Sequence, residues 1–338
     1  MKHRIQTETV LVQNLCVPCG CRCRYCLLSW DGKTVGTDWN RGLALARSLR
    51  DWLRENRPVL QFAAAFGYAM ERPDLEQALR DLRELGSPQT EYLQCDGMRL
   101  RSPEECRALA ELLARAGVRH LNFTVYGLPE YHDRFAARAG DYAGILRLME
   151  AARAVGLIVS CGIPLTLESA PQLPALRERL RREAGVEQVF LFVPHEEGRG
   201  GSLARVRVTE EAVAGLPEDL QGLLNRQLFR SERAWLTEKA FRPETRRMLL
   251  LSLRRDNIEA YERMTPEQLL THLEALDEAY YAAFPTLPEL AERYGDPENT
   301  RLYRQRDLFA SYRRRYAAEF GVSVYDVTDE RQSGSRRY

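Results

Sequence analysis

Short hydrophobic segments alternate with amphipathic stretches through the first two hundred residues of the chain. The hydrophobic segments are bounded by turn-forming residues and have the length of buried strands. In the amphipathic stretches, apolar residues recur every three or four positions, as on one face of a helix. The pattern predicts strands at 9–13, 59–65, 92–95, 121–126, 157–162 and 189–193. It predicts helices at 39–55, 74–85, 103–116, 142–155 and 174–183.

Regular alternation of strand and helix predicts an α/β fold with a parallel sheet, because a crossover between parallel strands needs room for a helix. The six units fit a partial (β/α)6 barrel better than a closed barrel of eight strands, since no clear seventh or eighth unit follows residue 205. In both architectures, functional residues are expected at the carboxyl ends of the strands.

Helical patterns dominate the remainder of the chain, and at 265–281 the residues Thr265, Pro266 and Glu267 favour a helix start. We therefore expect a partial-barrel domain at 1–205, a C-terminal helical extension at 206–330 that serves as cap or substrate domain, and a disordered polar tail at 331–338. An apolar stripe on the last long helix predicts a core-facing surface or a wall of the substrate pocket. The stripe consists of Leu302, Leu308, Phe309, Tyr312, Tyr316 and Phe320.

The composition is ordinary for a globular protein and excludes some classes of partner. The chain has 338 residues, of which 44% are hydrophobic and 29% charged, and a formal net charge of +1. A net charge this small gives no electrostatic basis for binding nucleic acid or an anionic membrane. The amino terminus has no uninterrupted apolar stretch of the signal-peptide kind, and no apolar run is long enough to span a bilayer. We expect a cytoplasmic protein.

Cysteines are the most informative residues, because a reducing cytosol disfavours disulfides and leaves metal or redox chemistry as the reason for a cysteine cluster. Five of the eight lie between Cys16 and Cys26. Within this segment Cys19, Cys23 and Cys26 have the spacing C-x3-C-x2-C. Three thiolates ligate three irons of a [4Fe-4S] cluster and leave the fourth iron open, whereas an electron carrier normally has all four irons ligated by the protein.

The two additional cysteines keep alternatives open. With Cys16 or Cys21 as a further ligand, the segment would hold zinc or a four-thiolate cluster, although no paired C-x2-C follows downstream. The alternative class of function is then a cysteine-rich metal-binding protein, a zinc module or an electron carrier, on a degenerate barrel.

The cysteine spacing, the aromatic Tyr25 before the third cysteine and the position after the first strand together resemble the radical S-adenosylmethionine (SAM) superfamily. The resemblance covers about residues 8 to 200. It implies a [4Fe-4S] cluster on Cys19, Cys23 and Cys26, with the amino and carboxylate groups of SAM on the fourth iron. It also implies an external one-electron reductant of the flavodoxin or ferredoxin type, whose electron splits the S–C5′ bond of SAM. The resulting 5′-deoxyadenosyl radical would abstract hydrogen from a substrate.

The segment after the second strand resembles the family's GGE motif and the Pro-Asp-Leu that follows it. Only the central glycine, Gly67, is kept, and Tyr68 follows it where the family has glutamate. The resemblance implies that both residues adjoin SAM, and that the family's acidic group is either absent here or supplied by Glu71. Residues 95–97, Cys-Asp-Gly, stand where relatives often have Thr-Asn-Gly.

Segments after the fourth and sixth strands also resemble SAM-binding positions. Residues 124–134 are similar to a Ser-Leu-Asp-Gly segment with a His-Asp-Arg continuation, which implies that Thr124 and Asn122 lie near SAM. Arg134 or Arg138 would pair with the SAM carboxylate, unless they are solvated surface residues. The Gly-Arg-Gly at 198–200 implies that the backbone of Val193 lies beside the adenine.

Cys95, Cys161 and Tyr126 are candidate hydrogen donors to a substrate radical, with inert buried residues as the alternative. No second cysteine cluster follows Cys161, so we expect no auxiliary-cluster domain. We therefore favour a small metabolite or natural-product intermediate as substrate, and a short peptide next.

Overall fold

The computed structural model describes residues 6–15, 19–26, 36–67, 69–87, 90–196, 198–238, 241 and 246–323. The tail predicted at 331–338 lies outside these ranges, as do Cys16 and Tyr68.

Strands and helices alternate along the described chain. The strands are β1 (Gln6–Asn14), β2 (Gln61–Phe66), β3 (Tyr92–Gln94), β4 (His120–Thr124), β5 (Ile158–Pro164), β6 (Gln188–Phe192), β7 (Arg230–Ser231), β8 (Arg246–Leu253) and β9 (Leu302–Tyr303). The helices are α1 (Trp39–Asn56), α2 (Leu75–Glu84), α3 (Pro103–Arg115), α4 (Pro129–Ala136), α5 (Asp141–Ala154), α6 (Leu173–Ala184), α7 (Glu210–Ala214), α8 (Glu218–Gln221), α9 (Glu232–Thr237), α10 (Ile258–Glu262), α11 (Pro266–Ala282), α12 (Leu287–Tyr294) and α13 (Gln305–Phe320). Short 3-10 helices occupy Ala69–Glu71, Ala170–Gln172 and Gly198–Val206.

Two arcs of parallel strands form an open barrel. One arc has the order β8-β1-β2 and the other the order β3-β4-β5-β6, and every pair within them is parallel. No backbone ladder joins β2 to β3 in the described chain, where the Ser87 hydroxyl donates to the Ala64 carbonyl at 2.7 Å. The predicted partial barrel of alternating strands and helices is confirmed.

Local signals explain several helix starts. Ser102 and Glu105 form a capping box before α3. Pro103 occupies the first turn, where a backbone N–H has no hydrogen-bond partner within the helix and its absence costs nothing. Thr265 and Gln268 form the same box before α11, at the start predicted from the sequence. These reciprocal hydrogen bonds satisfy amide groups that would otherwise have no intrahelical partner.

Strand β8 corrects the expectation that no further β/α unit follows residue 205. It pairs with β1 along its length, placing Leu251 opposite Val12, and α11 packs against both β8 and α1. Its run of consecutive leucines has no period of two, so the pattern cannot distinguish a buried strand from a buried helix. The C-terminal part of the chain therefore contributes a strand to the barrel, while the domain boundary at residue 205 stays a prediction.

Most of the predicted stripe faces a core rather than a pocket, but Leu302 lies on β9 instead of the helix and Phe320 is 52% exposed. Leu308, Phe309 and Tyr312 are buried in a cluster with residues of α12 and with Trp235. Of the two roles predicted for this stripe, the structure supports the core-facing surface. None of the helices that the structure describes is long and apolar enough to cross a membrane.

Candidate active site at the cysteine loop

The cysteine loop, residues 19–26, is held at the carboxyl ends of the barrel strands by backbone hydrogen bonds. Gly20 N–H donates to the carbonyl of Gly97, which follows β3, at 2.6 Å. Arg22 N–H and Arg24 N–H donate to carbonyls in the last turn of α4 at 2.9 and 3.0 Å. Arg199 N–H, after β6, donates to the Cys26 carbonyl at 3.0 Å. Three separate β/α connections therefore fix the loop where this fold places its functional residues.

Gly97 is required at this position for two reasons. Its φ of +66° lies in the left-handed region that residues with a Cβ rarely adopt. A Cβ at Gly97 would also lie 3.3 Å from the Cβ of Cys19 and closer still to its sulfur. The glycine thus lets the first cysteine of the motif pack directly against the backbone after β3.

The thiols of the loop lie beside one another. Cys23 Sγ is 2.9 Å from the hydroxyl oxygen of Tyr126, and Cys21 Sγ donates to Asp141 Oδ2 at 3.5 Å. The pKa of the Cys21 thiol is raised by hydrogen bonds with Cys19 and Cys23, and further by burial and by the nearby Asp141 carboxylate. No disulfide bond joins the cysteines in the described chain.

The donor set fits an iron–sulfur cluster with one open iron. Cys19, Cys23 and Cys26 place three thiols on one anchored loop. Among the described residues, no three His, Cys, Asp or Glu side chains are already arranged around a metal position. Rotation about the Cα–Cβ bonds is the motion that would gather the thiols. The thiol of Cys21, by contrast, is engaged by the Asp141 carboxylate.

A buried carboxylate, Asp141, lies next to the cysteine loop and is itself held by two basic side chains. Arg138 Nε donates to Asp141 Oδ1 at 3.1 Å, and His132 Nε2 lies 3.0 Å from Asp141 Oδ2. His132 Nδ1 accepts the N–H of Tyr126 at 3.1 Å, so its proton is on Nε2 and points at the carboxylate. Burial alone would raise the pKa of Asp141, but the hydrogen bonds from His132 and Arg138 outweigh it and lower that pKa. Arg138, predicted to bind the SAM carboxylate, is engaged by this protein carboxylate.

An aromatic cluster surrounds Tyr25, the residue that precedes the third cysteine of the motif. The ring of Tyr25 lies 5.5 Å from the ring of Tyr126, 5.8 Å from Phe135 and 6.1 Å from Phe192, measured between centroids. Burial raises the pKa of both tyrosines, so their hydroxyls stay protonated at neutral pH. Tyr25 and Tyr126 therefore both lie at the cysteine loop.

Asp96 is a site residue that the candidate set from the sequence omits. Its Oδ1 accepts the N–H of Thr124 at 2.9 Å, and its Oδ2 accepts the Thr124 hydroxyl at 2.9 Å and the Gln94 amide at 2.7 Å. Desolvation raises the pKa of Asp96 in spite of these hydrogen bonds. The period-two pattern on β3, which puts 92, 94 and 96 on one face, is the signal that would have found it.

The remaining predicted SAM-binding residues lie in different surroundings. Asn122 faces the barrel interior and donates to the Ser160 hydroxyl at 2.7 Å. A Cβ at Gly67 would meet the Leu15 side chain at 2.6 Å, so this glycine allows close approach of Leu15. Val193 is buried in the sheet–helix core, and Arg134 is exposed above the Tyr131 ring.

Glu71, the proposed substitute for the GGE acid, is already paired. Its carboxylate lies 2.9 Å from Arg101 Nη2 and accepts the N–H of Arg99 at 3.2 Å. Both the Glu71 and the Arg101 side chain are largely buried. This structure therefore uses Glu71 to anchor the segment after β3.

Cys95 and Cys161 point away from the barrel interior. Both are buried in the core between sheet and helices, together with Leu121 and Phe123 of β4. Because side chains alternate across a strand, Asn122 and Thr124 face the opposite side of the sheet from that core. Of the three candidate hydrogen donors, Tyr126 alone lies beside the cysteine loop, and the placement of both thiols favours inert core residues.

A family model, described as "Radical SAM superfamily", matches residues 15–180, which contain the cysteine loop and β2 to β5. Residues 15–180 of the chain belong to the radical SAM superfamily. The match confirms the resemblance drawn from the cysteine spacing and the first strand. No curated protein sequence matches this radical SAM chain significantly.

Solved structures similar to this radical SAM chain include SuiB from Streptococcus suis bound to S-adenosylmethionine. It is 14% identical, with a TM-score of 0.44, over 74% of this chain and 52% of that one. Native anSMEcpe with bound AdoMet is 14% identical over 55% of this chain and 52% of that chain, with a TM-score of 0.38. The radical SAM methyltransferase TsrM from Kitasatospora setae, with cobalamin and a [4Fe-4S] cluster, is 14% identical over 67% and 39%, with a TM-score of 0.37. The chain spans about half or less of the length of these proteins.

Proposed function

We propose that this chain is a radical SAM enzyme that holds a [4Fe-4S] cluster on Cys19, Cys23 and Cys26 and binds SAM at the open iron. The observation that carries the proposal is the anchored loop. Its three motif cysteines lie at the carboxyl ends of the strands, on a loop that is hydrogen-bonded to Gly97 and to the end of α4. When bound, the cluster supplies the electron that splits the S–C5′ bond of SAM into methionine and a 5′-deoxyadenosyl radical.

The chain's own residues would orient the reactants and exclude water. The Tyr126 hydroxyl, 2.9 Å from Cys23 Sγ, donates a hydrogen bond to the thiolate form of that ligand. The rings of Tyr25, Phe135 and Phe192 pack together beside the loop, where they would help to exclude water. A dry surrounding protects a reactive radical from side reactions.

The barrel interior favours an uncharged polar substrate. Its described lining includes Ser160, whose hydroxyl accepts a hydrogen bond from Asn122 Nδ2 at 2.7 Å. Phe190 of β6, which is 42% exposed, adds an aromatic face on the same side of the sheet. Neutral hydrogen-bonding groups with an aromatic ring suit a small metabolite or natural-product intermediate, and a short peptide is the second choice.

A flavodoxin- or ferredoxin-type protein would supply the electron, in a cytoplasmic setting.

Anaerobic reconstitution with iron and sulfide tests the proposal. We expect about four iron and four sulfide per chain, as in one cubane cluster, and 5′-deoxyadenosine on addition of SAM and dithionite. Zinc in the purified protein, with no deoxyadenosine formed under reduction, would instead support a metal-binding protein on a degenerate barrel.

A further inference from the structure

Asp96 carries a carboxylate at the barrel mouth whose hydrogen-bond partners are all neutral. They are the Gln94 amide at 2.7 Å, the Thr124 hydroxyl at 2.9 Å and the Thr124 N–H at 2.9 Å. Within the described part of the chain, no arginine, lysine or histidine forms an ion pair with it. A partly buried carboxylate without a cationic partner is an unbalanced charge.

Neighbouring carboxylates at the same end of the barrel are balanced. Asp141 is held by Arg138, and Glu71 lies 2.9 Å from Arg101. Both of these acids therefore complete an ion pair within the protein. Asp96 differs from them because its negative charge is available to a ligand.

The position of Asp96 suits a ligand bound beneath the cysteine loop. It follows β3 on the face that points into the barrel, and it is bonded to Thr124 at the carboxyl end of β4. The Tyr25 hydroxyl lies within hydrogen-bonding reach of Thr124 as well. A molecule between the loop and the strand ends would lie close to both Tyr25 and Asp96.

The chemistry of SAM indicates which of its groups would lie there. Its sulfonium is positive at every pH but has no N–H or O–H to donate, so only charge attraction can stabilise it. The three neutral donors fix both oxygens of Asp96 without cancelling their charge. We infer that Asp96 binds the sulfonium centre of SAM, an inference that rests on the proposed function.

This assignment separates binding from cleavage. When the S–C5′ bond accepts an electron and breaks, the sulfur becomes the neutral thioether of methionine, and the attraction to Asp96 disappears. Asp96 would therefore strengthen the binding of intact SAM and not that of methionine or S-adenosylhomocysteine, whose sulfur is also uncharged. Because this attraction is lost on cleavage, it adds to the affinity for intact SAM and does not lower the barrier to bond breaking.

Equilibrium dialysis of SAM and of S-adenosylhomocysteine against the reconstituted, unreduced protein tests the inference without turnover. We expect the wild type to prefer SAM. In Asp96→Asn the affinity for SAM should fall about tenfold or more, as expected when one member of a charge pair is removed. The affinity for S-adenosylhomocysteine should change much less. Asp96→Glu, which keeps the charge, should retain a preference for SAM. Asp51→Asn is the matched control, since Asp51 lies on α1 outside the cysteine loop and pairs with Arg54 at 2.9 Å.

Three results would overturn the inference while leaving the proposed function intact. They are a wild type that binds both ligands equally, an Asp96→Asn variant with unchanged SAM affinity, and a variant that loses both ligands to the same extent. Iron content and thermal melting of each variant establish that folded, cluster-loaded protein is compared. Because the first result needs no variant, poor folding of Asp96→Asn does not remove the test. A wild type that binds no SAM would contradict the proposed function itself.

Discussion

Replacing Gly97 by alanine should destroy the support for the first cysteine of the motif. An L-residue at a φ of +66° is strained by about 1–2 kcal/mol. In addition, the new Cβ would lie 3.3 Å from the Cβ of Cys19 and well inside contact distance of its sulfur, with Gly20 N at 3.5 Å. Rotation about its Cα–Cβ bond can move the Cys19 sulfur away, but the Cys19 Cβ and Gly20 N can move only with the loop backbone.

Gly86 provides a matched control for the strain alone. Its φ is +73°, and a Cβ there would meet nothing within 4 Å. Gly86→Ala and Gly97→Ala should therefore share the backbone cost, seen as a fall in melting temperature of about 2–8 °C. Only Gly97→Ala carries the steric conflict at the cysteine loop.

Iron and sulfide analysis after anaerobic reconstitution, together with cluster absorbance, separates the two variants. Gly86→Ala should take up as much iron as the wild type. Gly97→Ala should take up less than about half, because displaced supporting groups weaken metal binding substantially. Equal iron contents in both variants, or loss of iron in Gly86→Ala alone, would refute the steric explanation.

Two further variants test the carboxylate beside the loop and the thiol in the sheet–helix core. Asp141→Asn removes the charge that Arg138 and His132 share, so thermal unfolding at neutral pH should show a loss of about 3–5 kcal/mol together with reduced iron uptake. Since the pKa of Asp141 is lowered, this deficit should shrink as the pH falls below 3.8, the ordinary value, and a pH-independent deficit would contradict the ion-pair role. Cys161→Ala should lose stability by about 1–2 kcal/mol but keep full cluster absorbance and any incorporation of solvent hydrogen into product, and loss of that label would instead make Cys161 a hydrogen donor.

Much of the fold could be predicted because its signals are local. The turn residues around the six predicted strands and the helical spacing between them need no tertiary information. Strand β8 is not predicted from the sequence, because a continuous run of leucines is compatible with either a buried strand or a buried helix. The unexpected strand also shows that the chain after residue 205 is not purely helical.

The part of the site whose functional residues lie in one short segment of the chain could be predicted from the sequence. Cys19, Cys23 and Cys26 are recognisable from spacing alone, and so is the aromatic Tyr25. The hydrogen bond from Cys21 to Asp141 joins residues 120 positions apart, which no local pattern can reveal.

The direction of the other thiols follows from strand alternation. The apolar Leu121 and Phe123 mark the helix-facing side of β4, and Cys161 pairs in register with Phe123. Alternation thus assigns Cys161 to the core, whereas its nearness to a strand end had suggested a functional role.

Formation of 5′-deoxyadenosine by reconstituted protein with SAM and dithionite tests the central claim most directly. The wild type should form it together with an equal amount of methionine. Cys23→Ala should form none, whereas Cys106→Ala, a change in the buried core of α3, should form it as the wild type does. Deoxyadenosine at wild-type levels from Cys23→Ala, or none from the iron-loaded wild type, would contradict the assignment of SAM cleavage to this cysteine loop.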